Sequence, residues 1–424
     1  MLAILRQRNF ALLWFGGLIS LMGDWLLRIG LPVYVYSLTG SALATSIMLI
    51  TGFVPDVLLG SVAGVFADRW DRRKTMLISN LLLAFGLLPL LAVHSKDTLW
   101  LVYIVQFFEG CVSQFVFPAE SALIPHLVSE EQLVSANALK SIGQNTARLV
   151  GSALGGLLIG SLGLSSSVLL DAVSFLFVCS MLSLMRLPVP VVKAEHPPAQ
   201  VVREEKNLLR EWLEGLQLIF RVRPLTILFL MFAAQSIGEG VFSVLLVVFV
   251  EKVLGYGAAV YGSLGSMQAV GSLLGGAIIG LLGKRYAPAR LVGICTCLFG
   301  IIDLLIINVP LFIPNLLIIW ALFILVGIPG IGATVGVYSL FQSLVADELR
   351  GRVFGAFITV EALMVLVGMS LAGLLGDRLG APLMLNIQGS VYTLSGLLGL
   401  LTLGRMVKKQ QEKQDQDTEL IAKA

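Results

Sequence analysis

Residues 60–74 read GSVAGVFADRWDRRK. Gly60 and Gly64 are four apart and share one face of a helix, which lets a second helix approach closely. Asp68 follows one turn later on that face. Arg69, Asp71, Arg72, Arg73 and Lys74 then interrupt an otherwise apolar chain. The flanking runs, 42–67 and 74–94, are each long enough to cross a bilayer. A short charged loop between two such runs is a turn at a membrane surface.

Outward from this turn the same pattern repeats. Apolar runs fall at 9–37, 42–67, 74–94, 98–125, 132–162, 167–187, 224–254, 258–284, 289–308, 313–343, 350–376 and 382–406, which predicts twelve transmembrane helices. Composition agrees: 57% of the 424 residues are hydrophobic and 13% charged, about half the charged share of a soluble chain. The mean hydropathy is +0.91. A soluble multidomain protein and a disordered chain are both excluded. The net charge of +3 implies no nucleic-acid partner. Cys111, Cys179, Cys295 and Cys297 lie in apolar runs, where a thiol packs as a small hydrophobe, so neither a disulfide nor a metal site is expected. The apolar stretch after Arg6 and Arg8 is too long for a cleaved leader and reads as a retained first span.

Lys and Arg placement sets the orientation. With both termini inside, the inner loops hold Arg69, Arg72, Arg73, Lys74, Lys284, Arg285, Arg290, Arg350 and Arg352, and the outer loops only Lys96, Lys252 and Arg378. The expected organisation is a six-helix bundle over 1–187, a cytoplasmic linker over 188–223, a second six-helix bundle over 224–406 and a frayed cytoplasmic tail over 407–424. Within the linker, Leu209, Leu213, Leu216 and Phe220 recur at helical spacing. They form either an amphipathic helix on the inner leaflet or a plain linker helix. The halves repeat. Gly64 and Gly280 are 216 apart, Gly151 and Gly368, like Gly156 and Gly373, are 217 apart, and Gly23-Asp24 precedes Gly238-Glu239 by 215. Parallel halves place a site at the midplane between them and favour alternating access over an open channel.

The turn at 60–74 resembles the loop signature of the major facilitator superfamily, with Asp71 where many members carry glycine. The resemblance covers nearly the whole chain. Gly23-Asp24, Leu38-Thr39-Gly40-Ser41, Pro118-Ala119 through Leu139, Gly151 to Gly156 and Asp171-Ala172-Val173-Ser174-Phe175 look like its branch of macrolide and enterobactin exporters. The resemblance implies an all-α membrane protein with two pseudo-symmetric six-helix bundles. It also implies that Gly60, Gly64, Asp68, Arg69, Arg72 and Arg73 belong to an inner gate, closed when Asp68 caps the start of the span at 350–376. Arg73 and Lys74 read more simply as topology signals. The second copy of the turn is worn, with Lys284 where the acid should stand. Gly151, Gly155 and Gly156 match an antiporter motif whose proline is replaced by Ser152. The arginine common in the fourth span of proton antiporters is replaced by Gln106, followed by Glu109-Gly110.

Charges within spans carry the most information, since each costs at least about 2.5–3.5 kcal/mol at mid-helix. The acids are Asp24, Asp56, Glu109, Glu239, Asp303 and Glu361, and the bases Arg28 and Arg148. Asp24 and Arg28 can pair at i, i+4. Arg148 can take an acid from another helix, which leaves four acids without a base. The cavity set is therefore Asp24, Arg28, Glu109, Arg148, Glu239 and Glu361. Asp303 reads as structural, and Asp171 as a solvated group near the outer end of its helix. His94, His126 and His196 are scattered, and no catalytic or nucleotide-binding motif is present. The expectation is a monomeric secondary transporter of the plasma membrane, without cofactor, whose partners are a small molecule, protons and the bilayer. It exports hydrophobic or amphipathic compounds in exchange for protons. Siderophore export and lysophospholipid flipping are alternatives within the fold, and an embedded enzyme or scaffold an alternative outside it.

The orientation is checked by thiol labelling. A cysteine introduced within 188–205 or 408–424 is expected to escape an impermeant reagent in intact cells, whereas one at Lys96 or Lys252 should react. Labelling of the central segment from outside would reverse the topology.

Overall fold

The computed structural model describes residues 2–186, 208–282, 286–345 and 347–423, with side chains for all but 2–3, 61–69, 208–211, 282, 347–348, 408 and 410–423. The expectations for 188–207, Lys284, Arg285 and the side chains of Asp68 and Arg69 fall outside that set. The described residues contain thirteen α-helices and no strand. They are α1 (Arg8–Thr39), α2 (Ala42–Arg69), α3 (Arg72–Gly86), α4 (Trp100–Leu123), α5 (Leu133–Leu162), α6 (Leu164–Leu184), α7 (Leu208–Arg221), α8 (Arg223–Val248), α9 (Ala258–Leu282), α10 (Pro288–Phe312), α11 (Leu316–Leu344), α12 (Asp347–Leu379) and α13 (Ala381–Lys423). Helices α1–α6 form one bundle and α8–α13 the other.

Eleven helical stretches are long and apolar enough to span a membrane. The twelfth, α5, is 30 residues long but rich in Gly, Ser and Asn. Its small residues face two neighbouring helices. Gly151 and Gly155 lie against α1, where a Cβ would crowd Met22, Trp25 and Leu26, while Gly156 lies against α9. Two ends differ from expectation. The α-helix of α3 stops at Gly86, and Leu88–Ala92 continues as a 3₁₀ turn, because Pro89 has no N–H to donate. The tail expected to fray instead extends α13 to Lys423, in keeping with the helix-forming Lys, Gln and Glu it contains.

The repeat governs turns and packing alike. Gly40 and Gly255, 215 apart, and Gly163 and Gly380, 217 apart, are the positive-φ glycines of the described chain. All four turn the chain on the side opposite the termini. Gly368 of α12 packs on Ile237 and Gly240 of α8, as Gly151 of α5 packs on α1. Gly373 of α12 meets Ser46 of α2, as Gly156 of α5 meets Gly262 of α9.

These last two contacts join the bundles. A Cβ on Gly156 would lie 2.9 Å from Gly262 Cα, and one on Gly262 2.8 Å from Gly156 Cα, so the helices touch backbone to backbone. Ser266 Oγ of α9 donates to the Leu149 carbonyl of α5 at 2.7 Å, and Ser46 Oγ of α2 donates to the Met369 carbonyl of α12 at 2.7 Å. All of this lies toward the side opposite the termini. Toward the terminal side the corresponding helices stand apart, since nothing approaches within 4 Å of a Cβ at Gly276, Gly280, Gly351 or Gly355. Gly60, expected to mediate a close approach, has only Gln114 Oε1 nearby, at 3.8 Å. The molecule is closed on one side and open on the other.

Helix α7 docks on the terminal-side end of α12. Glu214 accepts from Arg352 Nη1 at 2.8 Å, Gly215 lies against the Arg352 carbonyl, and Ile219 is buried. Leu213 and Phe220 stay exposed on its outer face. The linker helix is thus fastened to the C-terminal bundle.

The backbone contact yields a stability prediction. Gly156→Ala is expected to lower the thermal midpoint in detergent, with a cost of about 1–3 kcal/mol from overpacking. Gly404→Ala, where nothing lies within 4 Å, should leave it unchanged or raise it. Equal midpoints would mean that α5 and α9 separate without cost.

Candidate functional site

The N-terminal bundle brings three acids together. Asp24 stands on α1, Glu109 on α4 and Asp171 on α6, and each offers a carboxylate oxygen within 4.8 Å of the other two. Gln106, in the place of the antiporter arginine, donates from Nε2 to Glu109 Oε2 at 2.9 Å. Three carboxylates so arranged can share protons or hold a cation.

Asp171 differs from expectation. It is fully buried rather than solvated, because α6 turns this residue toward α1 instead of toward the membrane surface. Ser174 Oγ donates to Asp171 Oδ1 at 3.1 Å, and Oδ2 has no hydrogen-bond partner. A Cβ on Gly23 would overlap Asp171 Oδ1 and come within 2.6 Å of Ser174 Oγ. Gly23 is the vacancy that admits this carboxylate beside Asp24.

The bases also depart from the simple pairing scheme. Arg28 is within electrostatic reach of Asp24 but makes no direct ion pair with it. Its guanidinium sits 5.2 Å from the centre of the Trp25 ring. Arg148 approaches the same ring at 5.5 Å. Its Nη2 donates to Gln268 Oε1 of α9 at 2.8 Å, while its Nε has no partner. Arg148 was expected to take an acid. An amide from the other bundle takes its place, and Glu239 acts on it only at longer range. Each cation shares the indole face, an attraction of about 0.5–2 kcal/mol.

A cavity of ≈460 Å³ opens among these helices. Asp24, Arg28, Asp56, Gln106 and Glu109 line it, and among the described residues Met369 of α12 is the one lining residue from the C-terminal bundle. Asp56 accepts a hydrogen bond from Gln114 Nε2. The lining continues to Glu120 and Lys140, which pair at 2.9 Å near the terminal-side ends of α4 and α5. Of the predicted cavity residues, the structure brings Asp24, Arg28 and Glu109 together on this wall. Arg148, Glu239 and Glu361 do not line it. The other described residues lining this cavity belong to the N-terminal bundle. Asp303 is buried and accepts from Gln388 Nε2 at 2.9 Å, at the α10–α13 contact.

The turn after α2 is occupied within its own bundle. Asp71 caps α3 by accepting from the Lys74 N–H at 2.8 Å. Arg73 donates to the carbonyls of Leu182 and Ser183, at 2.8 and 2.9 Å, at the end of α6. Arg72 bonds to His126 beyond α4. A cation at a helix C-terminus is favourably placed, so Arg73 fastens α3 to α6.

Sequence reasoning missed Asp171 as a site residue, Trp25 as the shared platform and Gln268 as the partner of Arg148. The repeat could have flagged the first. Asp171 stands 217 before Gln388, the residue that meets a buried acid in the other half.

The chain matches the Major Facilitator Superfamily over residues 13–369 and 228–422. It is 27% identical over 402 residues to macrolide efflux protein A of Streptococcus pyogenes, covering 90% of this chain and 93% of that protein. It is 26% identical over 419 residues to the enterobactin exporter EntS of Citrobacter koseri, covering 93% and 91%. Among solved structures, a bacterial homologue of the iron transporter ferroportin in an inward-facing state superposes with a TM-score of 0.73 at 15% identity, covering 93% of this chain and 98% of that one. The helical repeat, the charged turn after α2 and these matches agree: the chain is a multi-pass membrane transporter that belongs to the Major Facilitator Superfamily.

Proposed function

We propose that the protein exports neutral or cationic amphipathic molecules by alternating access, driven by protons that enter through the acids of the N-terminal bundle. One observation carries this reading: carboxylates of α1, α4 and α6 lie within 4.8 Å of one another with no base bonded directly to them. Like charges so close inside a membrane protein are strongly unfavourable. The group therefore exchanges charge with its surroundings as the cavity is wetted or sealed. A cavity wall bearing acids suits a cationic or neutral cargo better than an anionic one. The likeness to macrolide efflux protein A supports this cargo class, and the likeness to the enterobactin exporter supports a siderophore as the second reading. The domain limits 1–187, 188–223, 224–406 and 407–424, with both termini cytoplasmic in the plasma membrane, belong to the same proposal. In that orientation the open side faces the cytoplasm, and the molecule is poised to load cargo there.

The inner gate is proposed to close when Asp68 caps the first turn of α12, with Gly60 and Gly64 giving the two helices room. Arg72 and Arg73 hold α3 in place so that the turn is rigid. Asp68→Asn is expected to lower turnover about two- to fivefold at unchanged abundance, because asparagine keeps the capping oxygen and the charge facing the helix dipole is lost. Asp71→Asn should have little effect, since asparagine caps a helix as well as aspartate does. Equal, mild effects at both positions would leave the turn only a topological role.

Coupling is tested at Asp24. As a proton-carrying residue, Asp24→Asn should abolish efflux against a gradient while keeping cargo binding and downhill exchange. As a mere counter-charge for Arg28, the same change should reduce the amount of folded protein, and Asp24→Asn with Arg28→Gln should restore transport. Protonophore-sensitive uphill efflux by that double variant would remove Asp24 from the coupling path.

A further inference from the structure

The two contacts that close the bundles against one another are alike in their glycines and serines but not in their charge. At the α2–α12 contact, Asp377, in the last turn of α12, reaches across to the first turn of α2. The Ala42 N–H donates to Asp377 Oδ1 at 3.0 Å, and Ser41 Oγ donates to Asp377 Oδ2 at 3.2 Å. Ala42 is the first residue of α2, so its N–H has no acceptor within its own helix. The carboxylate that satisfies it comes from the other bundle.

At the α5–α9 contact the position 217 earlier is Gly160. It lies beside the start of α9, near Ala258 Cβ and Ala259 N, and has no side chain to offer. The repeat therefore carries an acid on one of two equivalent contacts.

We propose that Asp377 is a positioning residue of the transport cycle: its carboxylate, by capping α2 from the opposite bundle, holds shut the side of the protein that is closed in this structure. The interaction exists only while the bundles touch there. When that side opens, Asp377 and the first N–H of α2 part, and each turns to water. The cap adds directional, charge-assisted bonding to the backbone contacts beneath it, where Gly373 sits against Ser46 and Gly376 against Ala42 and Leu245. Those contacts set the distance, and Asp377 sets how long it is kept. Leu38-Thr39-Gly40-Ser41 fits the same device. Gly40, at φ 67°, turns the chain so that Ser41 and Ala42 present their donors outward, and Thr39 Oγ1 accepts from the Ser41 N–H at 3.2 Å.

The test measures the distance between spin labels at Asp97 and Pro314, exposed positions on the two bundles of the closed side. The full chain is used in lipid nanodiscs without cargo, with Cys111, Cys179, Cys295 and Cys297 replaced by alanine. Loss of a helix cap of this kind corresponds to about a fivefold change in equilibrium. Asp377→Ala is expected to raise the population separated on that side by about that factor, and Ser41→Ala by less. Arg378→Ala, the neighbouring charge with no part in the cap, should leave the distribution as it was. A distribution unmoved by Asp377→Ala, or moved as far by Arg378→Ala, overturns the proposal. If Asp377→Ala accumulates poorly, Asp377→Asn is read instead. It keeps the Oδ1 acceptor and loses the charge, so a smaller opening is expected, and no opening overturns the proposal. These distances do not depend on proton coupling or cargo, so they fail or hold separately from the export reading.

Discussion

The backbone contact of Gly156 with Gly262 is the constraint on which the rest of the molecule depends. Lipid tails are as apolar as leucine, so no hydrophobic drive pushes helices together within a bilayer, and packing and hydrogen bonds must do so. Packing rewards closeness, and closeness demands that neither helix carry a side chain at the crossing. Once α5 and α9 touch, α2 and α12 meet by the same repeat, through Ser46 and Gly373. The bundles are then pinned along one half of their depth. The other half is left free to separate.

The same closeness explains why the chemistry sits in one half. At the first span of each bundle a glycine precedes an acid, Gly23-Asp24 in one and Gly238-Glu239 in the other. The glycine faces the sixth span in both cases. Gly23 faces Asp171 and Ser174, whereas Gly238 faces Gln388 and Tyr392. In the second half Gln388 donates to Asp303 and leaves its Oε1 without a partner, and Tyr392 Oη donates to the Gln235 carbonyl at 2.8 Å. In the first half the matching place holds a carboxylate with an unpartnered oxygen beside a cavity. A duplicated scaffold has kept its packing in both copies and gathers three carboxylates in one. Trp25 gives Arg28 and Arg148 a ring face to lie on, at 5.2 and 5.5 Å, and neither cation is bonded to an acid.

Much of this was legible in the residues. Span positions follow from runs of apolar side chains, and the repeat from glycine spacing, because both are local properties of the chain. The site was legible only as an inventory. Asp24 and Glu109 announced themselves by the cost of burial, but nothing near Asp171 in sequence says that α6 turns it toward Gly23. Asp171 lies only seven residues from the start of its helix, and depth along a helix says nothing about which neighbour it faces. Arg148 was misassigned for a related reason. Counting acids and bases presumes that charges pair with charges, whereas the fold supplied an amide and an indole. Gly60 shows the opposite failure. Its spacing is right for close packing, but in a protein that opens on one side, half of such faces are apart at any moment.

The ends of α2 and α12 show how such a protein can favour contact on either side without fusing there. Asp377 sits in the last turn of its helix, and so does Asp68. An acid at that end lies against the negative pole of its own helix dipole and is disfavoured by roughly 0.3–1 kcal/mol. Across the interface the first turn of the partner helix presents unbonded N–H groups and a positive pole. Each acid is therefore poorly placed alone and well placed in contact, and contact relieves both ends together. Asp377 is seen in that contact here. Asp68 stands at the other end of α2, where the bundles are apart. Under the alternating access proposed above, these two carboxylates would cap their partner helices on opposite sides of the membrane, each in a different closed state.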